Sequence, residues 1–402
     1  MLSNLKNIQH YLSSHQKPRL ALVIGLLTAG VIARFGVMQR GFNFDMDSWR
    51  IVADILNHHG NVYAETYRYN YGPLWFGLLH VFDRVASFTP NPYHFFRYFL
   101  VGFLILVDLG VWALLKKQFG YIVAFLFFLN PISIIITGYH NQFDNFAILL
   151  ALAAVMIYGR ATGGLTRRKL AGLALLGISI MTKHLFFAFP LWLAVKQKGW
   201  KEKLVTLLLP IAIFLVGFVP FLAHGRAGIV HNVFEYASFN NAPFWFAALP
   251  PFLHVILGFK LLFFGALFVF AFVVRKLPVL ESLLMYTLVM VIFSPAIANQ
   301  YLVIAAPAIA VFFNAFFGLY MAYSGVYLAI DAAGLHSQHL NNVLPGFVKM
   351  PITQGMRSYD VLILLLAFGL AWHFWKEHIK QGARFIGRWV RDEIKFQLKT
   401  AL

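Results

Sequence analysis

Long apolar runs separated by short polar or basic segments fill almost the whole chain. Runs over 20–38, 95–115, 121–139, 146–158, 170–182, 185–195, 204–222, 252–274, 280–293 and 361–375 predict membrane-spanning helices, some of them short for a span of about 20 residues. The apolar stretch 300–331 is too long for one span and suits two short ones turning near Asn314. Asn130-Pro131 interrupts the run 121–139, and a span tolerates such a break mainly where neighbours satisfy the freed backbone groups. Segment 40–92 is too polar to span, yet it holds helix-like stretches at 47–58 and 74–85, which predicts interfacial helices in a first external loop. The expected architecture is an all-α integral membrane protein of about twelve (11–13) transmembrane helices with both ends inside. One polytopic domain covers 1–375, and the tail 376–402, with Phe385, Ile386 and Trp389 among its bases, reads as an amphipathic helix on an anionic surface.

Composition makes the bilayer the solvent. Of 402 residues, 60% are hydrophobic and 12% charged, against about 25% charged in soluble domains. Lys+Arg 33 against Asp+Glu 15 gives +18, a balance that in a soluble protein would suggest nucleic acid. Here the bases cluster between apolar runs, as in Lys116-Lys117, Arg167-Arg168-Lys169 and Arg275-Lys276, so the excess follows the positive-inside rule and nucleic acid is disfavoured. The absence of cysteine excludes disulfides, thiolate catalysis and cysteine metal sites. No Asn-x-Ser/Thr sequon occurs, which favours a bacterial or archaeal cell (inner) membrane, and no cleavable signal peptide is expected.

With the basic loops on one side, the polar and aromatic turns collect on the other. They carry Asp45, Asp47, Tyr71, His140, Gln142, Asp144, Lys183, His184, Gln300 and Tyr301, so a site on the non-cytoplasmic face is expected. In a chain this poor in acids, a carboxylate at a membrane boundary is solvated, paired or used. Plainer readings stand beside the functional one. Asp45 and Asp47 suit a solvated helix start, Asp144 suits a cap for the helix beginning at Asn145, and Lys183 suits a snorkelling lysine at a span end. Asp108 and Lys260, inside spans, suit a mutual pair or an ion path.

The order of these motifs resembles the GT-C superfamily of polyprenyl-phosphate-sugar-dependent glycosyltransferases. Asp45-Met46-Asp47 followed by Tyr63, Tyr67-Arg68-Tyr69 and Tyr71-Gly72-Pro73-Leu74 is similar to the first external loop of the GPI-anchor mannosyltransferase I family. His140-Asn141-Gln142-Phe143-Asp144-Asn145 and Lys183-His184 resemble segments of the glucosyltransferases of N-glycan assembly, and Gln300-Tyr301 resembles a late mannosyltransferase motif. The resemblance implies a polyprenyl-phosphate-sugar donor, a glycan or lipid acceptor, and inverting transfer of a hexose, mannose first among them. It also aligns the base with Asp47.

Such a transfer needs a carboxylate to deprotonate the acceptor hydroxyl and a cation or donor group to hold the departing phosphate. Asp47 is the expected base, and Asp45 orients it or shares a divalent cation (Mg or Mn) with it. Lys183 is the expected phosphate holder, assisted by His184, Arg34 and Arg50, while His140, Gln142, Asp144, Tyr71, Gln300 and Tyr301 shape the pocket. The competing class is a transporter or flippase of a lipid-linked sugar, which would favour broken helices meeting at the midplane and a repeated half; no repeat is evident.

Overall fold

The computed structural model describes residues 16–161, 163–236, 250–295, 297–331, 333–346, 348–349 and 359–376, and every regular element among them is helical. The expected basic tail, apart from Lys376, and the aromatic stretch of the second external loop lie outside the described residues. Helix α1 (Gln16–Met38) leads into the first loop, whose interfacial helices α2 (Asp45–Asn57), α3 (Val62–Glu65) and α4 (Pro73–Ala86) match the two expected there and add a short third. Helix α5 (Pro92–Phe119) follows, then the broken pair α6 (Tyr121–Phe128) and α7 (Pro131–Ile135), which ends in a π turn (Ile136–His140). Helices α8 (Asp144–Gly159) and α9 (Arg167–Thr182) form a hairpin.

After a 3-10 turn (His184–Phe186) comes α10 (Phe189–Ala194), far too short for the span expected over 185–195. Helix α11 (Trp200–Val216) runs almost without interruption into α12 (Leu222–Gly228) and a second π turn (Ile229–Phe234), so this rod reaches beyond the loop start expected near residue 224. The rest comprises α13 (Pro251–Val273), α14 (Val279–Phe293), a 3-10 turn (Asn299–Val303), α15 (Ala306–Val311), α16 (Ala315–Ile330), α17 (Gln338–Val343) and α18 (Tyr359–Lys376). The turn expected near Asn314 is there, because the Asn314 side chain accepts the Phe316 and Phe317 N–H groups and starts α16.

Four described helices, Leu20–Met38, Pro92–Phe119, Trp200–Phe234 and Tyr359–Lys376, are long and apolar enough to cross a membrane, and Tyr121–Phe128 with Pro131–His140 adds a fifth if that pair, bent by 46°, is one span. About twelve full spans are therefore not reached by length alone, because prolines and polar turns cut several apolar runs into shorter helices. The protein is an all-helical, multi-pass membrane protein.

Helix α8 is the packing centre, with α5, α9 and α14 around it, and its buried face uses Ala147, Ala151 and Ala154 to bring neighbours close. The interfacial pair α2 and α4 covers the N-terminal half of α5 and the start of α8 with an aromatic cluster. Trp75 stacks on Phe143 at 4.1 Å, and Trp49 meets Trp75 and Phe143 edge-on at 5.9 and 5.6 Å. Each such pair adds about 0.5–1.5 kcal/mol beyond area burial. The π turn ending the α11–α12 rod docks on the first loop, where Asn232 donates to the Thr66 carbonyl at 3.2 Å and a Cβ at Gly228 would lie 1.7 Å from the Tyr63 oxygen.

Candidate active site

The break in the second half of the span 121–139 builds one wall. Asn130 caps α7 by accepting the Ile132 N–H, and Pro131 at the first helical position has no N–H to satisfy. The helix then widens into the π turn, and Asn141 takes the left-handed conformation (φ 55°) that ends it. Gly138 permits this close to α1, since a Cβ there would sit 2.5 Å from the Arg34 carbonyl oxygen. The result turns His140, Gln142 and Asp144 to one side, all three with 2% exposure or less.

Helix α2 supplies the facing carboxylate, and its phase decides which. Residues two apart on a helix point to nearly opposite sides. Asp45 shares the buried stripe of Ser48, Trp49 and Val52, whereas Asp47 is exposed beside Arg50 and Ile51. The adjacent pair expected to act together is split by the helix: Asp45 faces the cluster and Asp47 turns away from it.

Asp45 heads a continuous polar chain whose hydrogen-bond directions can be assigned. The Asp45 backbone N–H donates to Asn43 Oδ1 at 3.1 Å, which fixes the Asn43 amide. Asn43 Nδ2 then donates to Asp45 Oδ2 at 3.0 Å and to His140 Nδ1 at 2.8 Å. His140 therefore accepts at Nδ1 and, when neutral, carries its proton on Nε2. Gln142 Nε2 donates to the same Asp45 oxygen at 2.6 Å, and Lys183 Nζ approaches Gln142 Oε1 at 3.4 Å while pairing with Asp144 Oδ2 at 2.8 Å. Asp144 is thus an ion-pair partner, and Phe143, with no side-chain bond, holds the cap position instead. Lys183 does not snorkel: it is 3% exposed, with its ammonium 5.0 Å from the Tyr71 ring centre and 4.9 Å from that of Phe143.

Several buried polar atoms here have no partner among the described residues, namely His140 Nε2, Asp144 Oδ1 and His184 Nδ1. Buried polar atoms of this kind commonly pair with water, an ion or a ligand. Burial, and next the Lys183 charge, push the His184 imidazole down to about 4, so it is neutral near pH 7. Burial first, then the Asp45 and Asp144 charges, raise the Tyr71 hydroxyl well above its usual range. The first loop reaches Lys183 because Gly72 lies against the end of α9: a Cβ there would be 1.8 Å from the Met181 carbonyl oxygen.

Other expected members sit elsewhere. Arg34 does not reach toward a phosphate: it is fully buried against Asp108 of α5 at 2.8 Å, and the side chain of Lys260, expected as a partner of Asp108, lies outside the described residues. Arg50 stacks on Tyr93 at 3.2 Å, and burial lowers its guanidinium, partly opposed by Tyr93 and Asp47. The turn Asn299–Val303, which carries Gln300 and Tyr301, packs against the π turn and α8, and Tyr301 lies within electrostatic range of Tyr71. A divalent cation shared by Asp45 and Asp47 does not fit, since the two project to opposite sides and, among the described residues, no three His, Asp or Glu side chains gather as a metal set.

Sequence reasoning missed Asn43, the hinge of the polar chain, although an Asn just before an acidic helix start is a turn signal. It also missed Arg97, which donates to Asn141 Oδ1 at 3.3 Å and to the Gly41 carbonyl, because a lone arginine in an apolar run carries no local mark.

No family model and no curated protein matches the chain. Among solved structures it is similar to ArnT from Cupriavidus metallidurans in the apo state, at TM-score 0.51 and 12% identity over 88% of this chain and 76% of that one. The same protein bound to undecaprenyl phosphate matches at TM-score 0.48 and 12% identity, over 87% and 76%. The likeness does not extend to the GPI mannosyltransferase group that the first-loop motif resembles. What the chain shares with ArnT is its fold.

Proposed function

We propose that this protein is an inverting glycosyltransferase that moves a sugar, a hexose such as mannose, from a polyprenyl-phosphate-linked donor to a glycan or lipid acceptor at the non-cytoplasmic membrane face. The observation that carries the reading is the convergence of Asp45, Gln142, Asp144 and Lys183, drawn from three distant parts of the chain, beside buried polar atoms with no partner among the described residues. The GT-C fold supports the reaction class.

Asp45, rather than Asp47, is the base. Two amide donors hold its Oδ2 and leave Oδ1 for an acceptor hydroxyl. The acceptor oxygen attacks the anomeric carbon, its proton passes to Asp45, and the bond from that carbon to the phosphate oxygen breaks to release the polyprenyl phosphate. One displacement inverts the centre. Lys183 meets the negative charge growing on the leaving phosphate, and Asp144 neutralises Lys183 until the donor arrives. His140 Nε2–H offers a neutral donor to a sugar or phosphate oxygen.

The test uses the purified protein in liposomes with radiolabelled polyprenyl-phosphate mannose or glucose and a range of acceptors. Release of free polyprenyl phosphate with label transferred is expected, and Asp45→Asn should reduce it about a hundredfold or more while Asp47→Asn has a smaller effect. Movement of intact labelled lipid across the bilayer with no release would replace the enzyme by a transporter.

A further inference from the structure

Inside the helical core, Arg34, Asp108, Ser133, Thr137 and Asn145 form a polar knot that the transfer step does not use. Asp108 Oδ1 accepts from Asn145 Nδ2 at 2.6 Å. Its Oδ2 accepts from Arg34 Nε and Thr137 Oγ1, both at 2.8 Å, and from Ser133 Oγ at 3.3 Å. Arg34 completes its own set on the Gly30 carbonyl and Ser133 Oγ, with its plane over Phe128. Four elements meet at this carboxylate: α1, α5, the broken span and the first turn of α8.

About three turns toward the N-terminus of α5, on the same face, stands Arg97. It donates to the Asn141 side chain at 3.3 Å and to the Gly138 carbonyl at 3.4 Å. One face of one helix thus grips the segment 137–145 at its start, its middle and its end, and that segment carries His140, Gln142 and Asp144.

Stability alone does not account for the knot, because a well-packed apolar pair commonly replaces a buried ion pair without loss. An ionised group within a membrane bundle points to function by default. A π turn followed by a left-handed asparagine also persists only where its surroundings over-determine it.

We propose that Asp108 is a positioning residue: through Thr137 and Asn145 it sets the register of 137–145, so that Gln142 and Asp144 meet Asp45 and Lys183. The role presupposes the transfer site described above, so its test needs a readout that does not depend on turnover.

Three variants of the full chain separate positioning from bulk stability. R34M/D108L removes both charges together and all the bonds to Asp108, Asn145→Leu keeps the ion pair but cuts the tie to α8, and R34M/D108N keeps an amide oxygen for Asn145. The first two leave buried polar groups unpaired and should melt somewhat lower, but the local effect should exceed the global one: amides in 137–145 exchange with deuterium about tenfold faster than before while those of α9 do not change. Turnover of labelled donor lipid should fall about a hundredfold, chiefly in kcat, and R34M/D108N should recover part of both losses. If R34M/D108L does not fold, Asn145→Leu decides. Wild-type exchange in 137–145 in these variants overturns the proposal, as does a loss of activity that only tracks loss of folded protein. If the wild type transfers no sugar, the exchange data still judge the clamp, and the functional reading falls alone.

Discussion

Two buried ion pairs of equal length, Arg34–Asp108 and Lys183–Asp144 at 2.8 Å each, lie in neighbouring parts of the molecule and differ in what surrounds them. Around Arg34–Asp108 each carboxylate oxygen and each guanidinium nitrogen has a partner. Around Lys183–Asp144 one carboxylate oxygen has none among the described residues, and the ammonium is left with a long contact to Gln142 and two aromatic faces. A low-dielectric setting makes a satisfied network rigid and an unsatisfied one costly. The first pair is therefore the more fully satisfied of the two, although Asn145 Oδ1 beside it has no partner among the described residues.

Breaking one side of the saturated pair should give the largest loss of folding. Asp108→Leu alone leaves Arg34 charged and buried, a cost of about 3–5 kcal/mol, and a thermal melt in detergent should show it, while Lys183→Ala strands the buried Asp144 but should lose less, since a carboxylate can neutralise itself by taking up a proton and arginine cannot shed one. For turnover the order reverses: Lys183→Ala should lower sugar transfer about a hundredfold to a thousandfold at equal protein, measured as release of polyprenyl phosphate.

Gly72→Val attacks the unsaturated side without touching either charge. Its Cβ would meet the Met181 carbonyl at 1.8 Å, so the first loop must lift from α9, with an expected cost of about 1–3 kcal/mol and lost transfer. An unaltered melt would show that the loop yields there.

His184 sharpens the same contrast through pH. Its folded value of about 4 lies below the ordinary 6.5, so the unfolded chain binds a proton that the folded chain refuses. Stability should therefore rise with pH between about 4 and 6.5, and that rise should become shallower in His184→Gln, as followed by melting temperature. Asn314→Ala, remote from both pairs, should cost only about 1 kcal/mol through the lost cap and leave transfer unchanged.

Much of the fold is local and was readable from local pattern. Apolar runs bounded by turns give the helices, the interfacial helices of the first loop follow from its polarity, and Asn314 marks its turn by cap chemistry. Of the candidate site, Lys183, Asp144, Gln142 and His140 do come together, since polar side chains at the ends of apolar runs share one side of a bundle. The count of about twelve spans is not confirmed by helix length among the described residues, because length in sequence does not reveal where a proline or π turn divides a helix.

By itself the chain determined its solvent, its helical class and the rim on which its chemistry gathers, all consequences of composition and of periodicity over a few residues. Only the tertiary structure decided which aspartate faces inward, because α2 must be formed before its phase turns Asp45 toward Gln142 and Asp47 away. It also decided the ion pairs. Arg34 finds Asp108 across 74 positions and Lys183 finds Asp144 across 39, and contacts that distant depend on how whole helices pack, which no local pattern encodes.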